Sequence, residues 1–243
     1  MKHPWTNFLK PLTVIAGLGL AFAASADDSE LGSRIAESLP GVEVDAVRPT
    51  PIDGLYEVTV GANVAYVSAD GRYLLYGDLV DVSEGKSLTE ARRSELRLAV
   101  LEDMNSGNAI VFGPDEPRHT VTVFTDVNCG WCRRFHQQVP ALNEKGVAVR
   151  YVFFPVIAES SFTDAEAVWC SDDRNDAMTR AKAGEKVEPK ACENPIAEHF
   201  ALGRQLGVRS TPTIIMEDGS VRPGFVEAAE LAAMLDGELP AQP

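Results

Sequence analysis

After residue 40 the chain breaks into short apolar runs, and residues 42–47, 55–60, 64–67, 72–76 and 78–82 each read as a strand. Ala69-Asp70-Gly71 divides the third run from the fourth, and Gly71 can take the positive φ of a hairpin-type turn. Ahead of these runs, residues 28–39 show a short helical pattern that stops at Pro40-Gly41. The β segment spans roughly 60 residues, a size at which a lone core is marginal, so it needs a partner surface.

Ser87-Leu88-Thr89-Glu90 has capping-box spacing and opens a helix that runs to about Met104. Residues 89–95 are nearly all polar, whereas Leu96, Leu98, Val100, Leu101 and Met104 make the second half apolar on several sides. An exposed connector whose far end docks on something has that asymmetry. Residues 105–108 (Asn-Ser-Gly-Asn) end it.

Beyond Ala109 the rhythm changes. Residues 119–125 form a β run, 129–145 a helix stopping at Gly146, and 147–154 a second, nearly all-apolar β run. A long polar, helix-prone stretch follows, then a strand at 213–216, the turn Glu217-Asp218-Gly219-Ser220, and a helix over 227–235. Pro140 kinks the first helix, and Phe153-Phe154-Pro155 ends a buried strand. This alternation predicts a sheet covered on both faces by helices.

Residues 1–26 read as a secretory leader. Lys2 and Lys10 supply positive charge, residues 12–24 are apolar or small apart from Thr13, and Ala24-Ser25-Ala26 offers a cleavage site. The apolar run falls short of the roughly 20 residues that a membrane-spanning helix needs. The composition, 45% hydrophobic and 24% charged, is that of a soluble globular protein. With 22 Lys+Arg against 36 Asp+Glu, there is no basic excess to displace counterions from a nucleic acid. Export also changes how the four cysteines are read, because disulfides form and persist outside the cytosol.

Cys129-Gly130-Trp131-Cys132 lies where a strand hands over to a helix. Cys129 then sits at a helix N-terminus, where free N–H groups and the positive dipole end stabilise a thiolate. Cys132 lies one turn deeper on the same side and can close a ring with it. Gly130 leaves the first sulfur open while the Trp131 indole shields one flank. A zinc site would want a second close pair, but Cys170 and Cys192 are far apart and no His stands at ligand spacing. Redox chemistry by the two thiols, without metal or cofactor, is the expectation.

Cys170 and Cys192 bracket the polar stretch 171–191, which has too little apolar surface to order itself. A disulfide closing such a loop contributes on the order of 3 kcal/mol. A structural staple is the favoured reading of this pair, with a second redox pair as the alternative. Pro212 in Ser210-Thr211-Pro212-Thr213 enters a strand and is a candidate cis peptide. If it packs against the C-x-x-C, the Thr211 main chain offers a client one donor and one acceptor.

Phe124-Thr125-Asp126, Cys129-Gly130-Trp131-Cys132, Cys170, Cys192 and Ser210-Thr211-Pro212 together resemble the DsbC/DsbG family of periplasmic thiol:disulfide interchange proteins. The resemblance continues through residues 66–73 and Gly77-Asp78-Leu79. It implies an α+β chain: leader 1–26, a small mostly-β dimerisation domain 27–86, a linker helix 87–108 and a thioredoxin-like α/β domain 109–243. Two chains would form a V around a cleft for misfolded or misoxidised exported clients. The family's structural disulfide would fall on Cys170 and Cys192, Trp131, Thr211 and Pro212 would contact clients, and a membrane-bound reductase of the DsbD type would supply electrons.

Several positions depart from familiar relatives. Trp131 replaces Tyr, Arg133 replaces His, and Val replaces Tyr in Leu79-Val80-Asp81. Val123 falls where thioredoxins and DsbA-like oxidases place a buried acid, so Cys132 needs another proton acceptor. His136 reads as a half-exposed helix-face residue. The expected activity is isomerisation or reduction of wrong client disulfides. The alternatives are reduction of protein sulfenic acids in the manner of DsbG, oxidation in the manner of DsbA, and a holdase with secondary thiol chemistry.

Overall fold

The computed structural model describes residues 32–35, 37–38, 43–102, 104 and 106–239. The expected leader and its cleavage site lie outside the described residues, as does part of the expected helix over 28–39, of which 32–35 and 37 are helical.

Four antiparallel strands, β1 (Ala46–Pro49), β2 (Leu55–Val60), β3 (Asn63–Ser68) and β4 (Leu74–Leu75), form a sheet in sequence order. Its own core is small: Ile35, Val58 and Val67 are buried, with Val44, Val47 and Tyr56 packed on them. The expected strand at 72–76 shrinks to two residues because the turn takes its donors. Asp70 Oδ1 accepts from the Arg72 amide and Ser68 Oγ from the Tyr73 amide, around Gly71 at φ 71°. A second small ladder joins β5 (Val80–Asp81) to β6 (Lys86–Ser87).

Helix α1 (Leu88–Glu102) connects the two halves. Ser87 Oγ accepts the Glu90 amide at 3.1 Å, as the capping-box spacing anticipates. Its polar half is not merely exposed. Thr89 is buried against the Tyr66 hydroxyl, and Arg92 pairs with Glu57 at 3.1 Å. The apolar half packs with Ala62, Phe124, Phe154, Leu206 and Ile215, while Arg97 donates to the Gly219 carbonyl at 3.0 Å. One end thus grips the small sheet and the other the larger one.

The larger sheet opens with β7 (Ile110–Phe112) and β8 (His119–Thr125), followed by α2 (Gly130–His136), α3 (Val139–Glu144) and β9 (Val147–Phe153). Helices α4 (Ser161–Trp169), α5 (Arg174–Ala183) and α6 (Ile196–Gln205) lead to β10 (Thr213–Ile215), β11 (Val221–Pro223) and α7 (Ala228–Leu235). The strand order is β11-β10-β8-β9-β7; β8 and β9 run parallel and the other pairs antiparallel. Val121, Val123, Tyr151 and Phe153 are fully buried between the helical layers. Each such side chain contributes on the order of 2 kcal/mol.

Two expectations need correction. The helix over 129–145 is two helices: Pro140 has no N–H to give the His136 carbonyl, and its ring crowds that turn. The chain tightens there, with the Gln138 amide on the Phe135 carbonyl at 3.0 Å, and restarts at Val139. The polar stretch 171–191 also orders a helix. Asp173 caps α5 through the Asp176 amide, Gly184 closes it at φ 90°, and Ala177, Met178, Ala181 and Lys182 form one buried stripe. The average polarity of the segment hides that stripe.

Candidate active site

Strand β8 ends at Thr125, Asp126 follows, and the chain turns into α2 with Cys129 as the N-cap residue. Its extended backbone (φ −78°, ψ 121°) aims Sγ back at the helix amides, and the Cys132 N–H reaches it at 3.4 Å. Cys129 keeps 4% of its surface exposed and Cys132 only 1%, so the first sulfur is less open than the sequence suggests.

The two thiols are pushed in opposite directions. Hydrogen bonding with Cys132 is the main cause that lowers Cys129 to about 5, against the opposing cost of burial. The Thr211 hydroxyl and the amides of Cys132 and Trp131 add to the lowering. Burial drives Cys132 far up, so it stays a thiol at neutral pH. An attacking thiolate beside a protonated thiol is the state thiol–disulfide exchange requires.

The Thr211–Pro212 bond is cis. The Cys129 thiol donates to the Thr211 carbonyl at 3.2 Å. The Thr211 hydroxyl is buried and has no partner among the described residues, so it is free to donate to Cys129 once the thiol ionises. The Pro212 carbonyl is held by the Gly224 amide at 2.7 Å. Trp131, 57% exposed, leans on Phe225 with ring centroids 5.8 Å apart, and the Arg134 guanidinium lies over both rings. The structure therefore brings Cys129, Cys132, Trp131, Thr211 and Pro212 to one end of the sheet. Cys170 and Cys192 are joined in a disulfide away from it, enclosing α5.

Asp126 organises the neighbouring loop. Its Oδ1 accepts from the Asn128 amide and the Ser161 hydroxyl, and its Oδ2 from the amides of Val156 and Ile157 at 2.7 and 2.8 Å. Those bonds hold Val156 and Ile157 exposed at the same end of the sheet as Cys129. Among the described residues no cluster of three or more His, Cys, Asp or Glu side chains is arranged to hold a metal.

Residues 109–237 match the thioredoxin-like domain family, and residues 22–90 match the disulfide bond isomerase protein N-terminal domain. The chain is 34% identical to the thiol:disulfide interchange protein DsbC of Salmonella typhimurium, over 97% of this chain and 96% of that one. It is 36% identical to the DsbC of Dickeya dadantii, over 90% and 91% respectively. The chain belongs to the DsbC family of thiol:disulfide interchange proteins.

Among solved structures, a disulfide interchange protein from Neisseria gonorrhoeae aligns with a TM-score of 0.51 at 27% identity, covering 55% of this chain and 97% of that one. As a member of that family, the chain is a thiol-disulfide oxidoreductase of α+β class, an isomerase N-terminal domain followed by a thioredoxin-like one.

His136 stands differently from its sequence reading, and the structure gives Arg133 and Lys182 definite places. His136 is buried, with Nδ1 at 3.0 Å from the Tyr151 hydroxyl and Nε2 at 3.3 Å from Thr179 Oγ1. Burial, with the charge of Lys182, lowers it to about 4. Arg133 donates from Nε to the Val127 carbonyl at 3.1 Å, which ties it to the backbone. Lys182, which the sequence reading missed, is buried on α5 and donates to Thr125 Oγ1 at 2.7 Å and to the Asp126 carbonyl at 2.8 Å. Its signal was present: a lysine four residues after Met178, on the only apolar stripe of a polar segment.

Proposed function

We propose that this protein works outside the cytosol on wrong disulfides of exported proteins, with Cys129 as the attacking thiolate and Cys132 as the resolving thiol. The observation that carries this is the placement of Cys129 Sγ on the first turn of α2, between the Cys132 amide and Thr211.

Reduced Cys129 attacks one sulfur of a client disulfide; a Cys129–client disulfide forms, and the other client sulfur leaves as a thiolate. If that client thiolate, or another, attacks the client sulfur of the mixed disulfide, Cys129 is released and the client is isomerised. If Cys132 attacks Cys129 instead, the Cys129–Cys132 disulfide forms and the client leaves reduced. The pair then needs two electrons, for which a membrane-bound thiol reductase of the DsbD type is the fitting donor. The Thr211 amide has no hydrogen-bond partner among the described residues, which suits pairing with an extended client. Trp131, Val156 and Ile157 supply apolar contact, and Cys170–Cys192 serves as a staple.

The molecule acts as a homodimer through the small domain. Strand β4 is a sheet edge, and Tyr73, Leu74, Leu75, Tyr76, Val80 and Val82 are exposed on and beside it. Such an edge is covered in stable proteins, and a second copy supplies the matching surface. The site of action is the periplasm, a reading supported by the leader read in residues 1–26 and by membership of the DsbC family.

The test is refolding of fully oxidised, scrambled ribonuclease by the reduced protein in a closed system. Activity recovered by the parent and lost in Cys129→Ser is the expected result. Equal recovery by both, or prevention of aggregation without thiol exchange, contradicts it in favour of a holdase.

A further inference from the structure

We propose that Lys182 is the proton acceptor for Cys132 when Cys132 resolves the mixed disulfide. The inference rests on Cys129 as the attacking thiol and Cys132 as the resolving one, and concerns only the second step.

Val123, on the strand that leads to the site, is fully buried and carries no group that could take a proton. Cys132 must nevertheless lose its proton in a site with 1% of its surface exposed. Thr125 Oγ1 and the Asp126 carbonyl each accept a hydrogen bond from Lys182 Nζ, and Thr125, the Asp126 main chain and the Lys182 charge all favour the ionised form of Cys132. An ammonium has three N–H donors. Two are spent on those oxygens and the third tetrahedral position has no hydrogen-bond partner among the described residues, while the ammonium and a Cys132 thiolate attract each other. A neutral amine keeps the same two bonds and presents its lone pair at that third position.

Burial lowers Lys182 to about 8, so a neutral fraction exists near neutral pH; thiolate at Cys132 or Cys129, and Asp126, pull the other way. The groups that face it are Cys129, Cys132, Arg133 and His136 from α2, Asp126 after β8, and Tyr151 from β9. His136 is too weak a base to compete, and Tyr151 is held as a phenol by burial.

In the step itself, the Cys132 S–H bond breaks and its proton goes to the Lys182 amine. The Cys132 sulfur then bonds to the Cys129 sulfur with the electron pair so freed. The Cys129–client bond breaks, and the client sulfur leaves with its electron pair and is protonated by solvent. Lys182 afterwards returns its proton to solvent. A cavity of about 380 Å³ lined by Lys182, His136, Val139, Thr179 and Ala183 gives it an outlet. Two electrons pass from the cysteine pair to the client, as the established interchange requires.

The test follows formation and decay of the mixed disulfide with a disulfide-bonded peptide by acid quench from pH 6 to 9.5. In the parent, decay accelerates with pH along a limb centred near 8. Lys182→Met, apolar and of similar length, is expected to form the mixed disulfide at the parent rate but to resolve it about 100-fold more slowly at pH 7, without that limb. In Lys182→Ala, added methylamine entering through the cavity is expected to restore part of the rate in proportion to its free-base form.

Parent decay rate and limb in Lys182→Met overturn the proposal. So does a slowing that is equal at every pH and not rescued by amine, which marks a structural role. If Lys182→Met fails to fold, Lys182→Gln carries the same comparison. Absence of any Cys129-linked mixed disulfide in the parent overturns the reading of Cys129 and, with it, any role of Lys182 in resolving one.

Discussion

Cys129 Sγ lies 3.2 Å from the carbonyl oxygen of Thr211, a residue 82 positions further along the chain. The sulfur donates in that contact while it is a thiol. When it ionises, the carbonyl has nothing to accept and the Thr211 hydroxyl, without a partner until then, becomes the donor. Thr211 therefore favours the thiolate through its side chain and faces the client through its main chain.

Replacing that hydroxyl tests the first half. Thr211→Val keeps the shape and removes the donor, so the Cys129 midpoint, about 5 in the parent, is expected to rise by about one pH unit. Thiolate absorbance near 240 nm reads the shift directly. Alkylation by iodoacetamide at pH 5 is expected to slow about five-fold, following the thiolate fraction. An unmoved midpoint would show that Cys132 and the helix amides set it without Thr211.

Much of this site was legible in the sequence because its parts are local. Cys129 and Cys132 are one helical turn apart, and a strand-to-helix junction is readable from Val123 and Phe124 on one side and Phe135 on the other. Thr211-Pro212 stood out as a proline entering a strand. What escaped was long-range. The partners of Lys182 lie 56 and 57 residues away, and those of His136 are Tyr151 and Thr179 on other elements. Strands β7 and β11 have three residues each, too few for an alternating pattern, and are strands only because β9 and β10 offer them an edge.

The Cys170–Cys192 disulfide closes the segment that carries α5 and hence Lys182. Cys170→Ala/Cys192→Ala is expected to lose about 3 kcal/mol of stability by urea unfolding. Formation of the Cys129 mixed disulfide at 25 °C is expected to proceed as in the parent. A variant of parent stability that has lost exchange activity would mark the pair as a redox relay.

Acid destabilises this fold through two histidines. His136 and His199 are both lowered to about 4 from 6.5, chiefly by burial. The unfolded chain therefore takes up protons between 6.5 and 4 that the folded chain refuses. The stability they contribute is complete above 6.5 and is lost as pH falls toward 4, a few kcal/mol in all. His119 has the opposite sign. Glu217, helped by Asp236, raises it, so its contribution is present below 6.5 and fades as pH climbs through the raised value. The urea midpoint of the oxidised protein is expected to fall between pH 6.5 and 4.5, and less steeply in His199→Gln. A midpoint that is flat across that range contradicts the assignment.

Dimerisation through β4 predicts a separable loss. Leu75 is 54% exposed at the sheet edge, and Leu75→Asp is expected to sediment as a monomer. Its Cys129 alkylation rate is expected to match the parent while recovery of scrambled ribonuclease falls several-fold. A dimeric Leu75→Asp places the interface elsewhere.

The most direct measurement of the central claim traps the client on the enzyme. Reduced Cys132→Ser protein, mixed with scrambled ribonuclease and quenched in acid, is digested without reduction and mapped by mass spectrometry. The account predicts one enzyme–client linkage, at Cys129, with Cys170 and Cys192 still joined to each other. A linkage at Cys170 or Cys192, or no linkage while scrambled disulfides still rearrange, would contradict it.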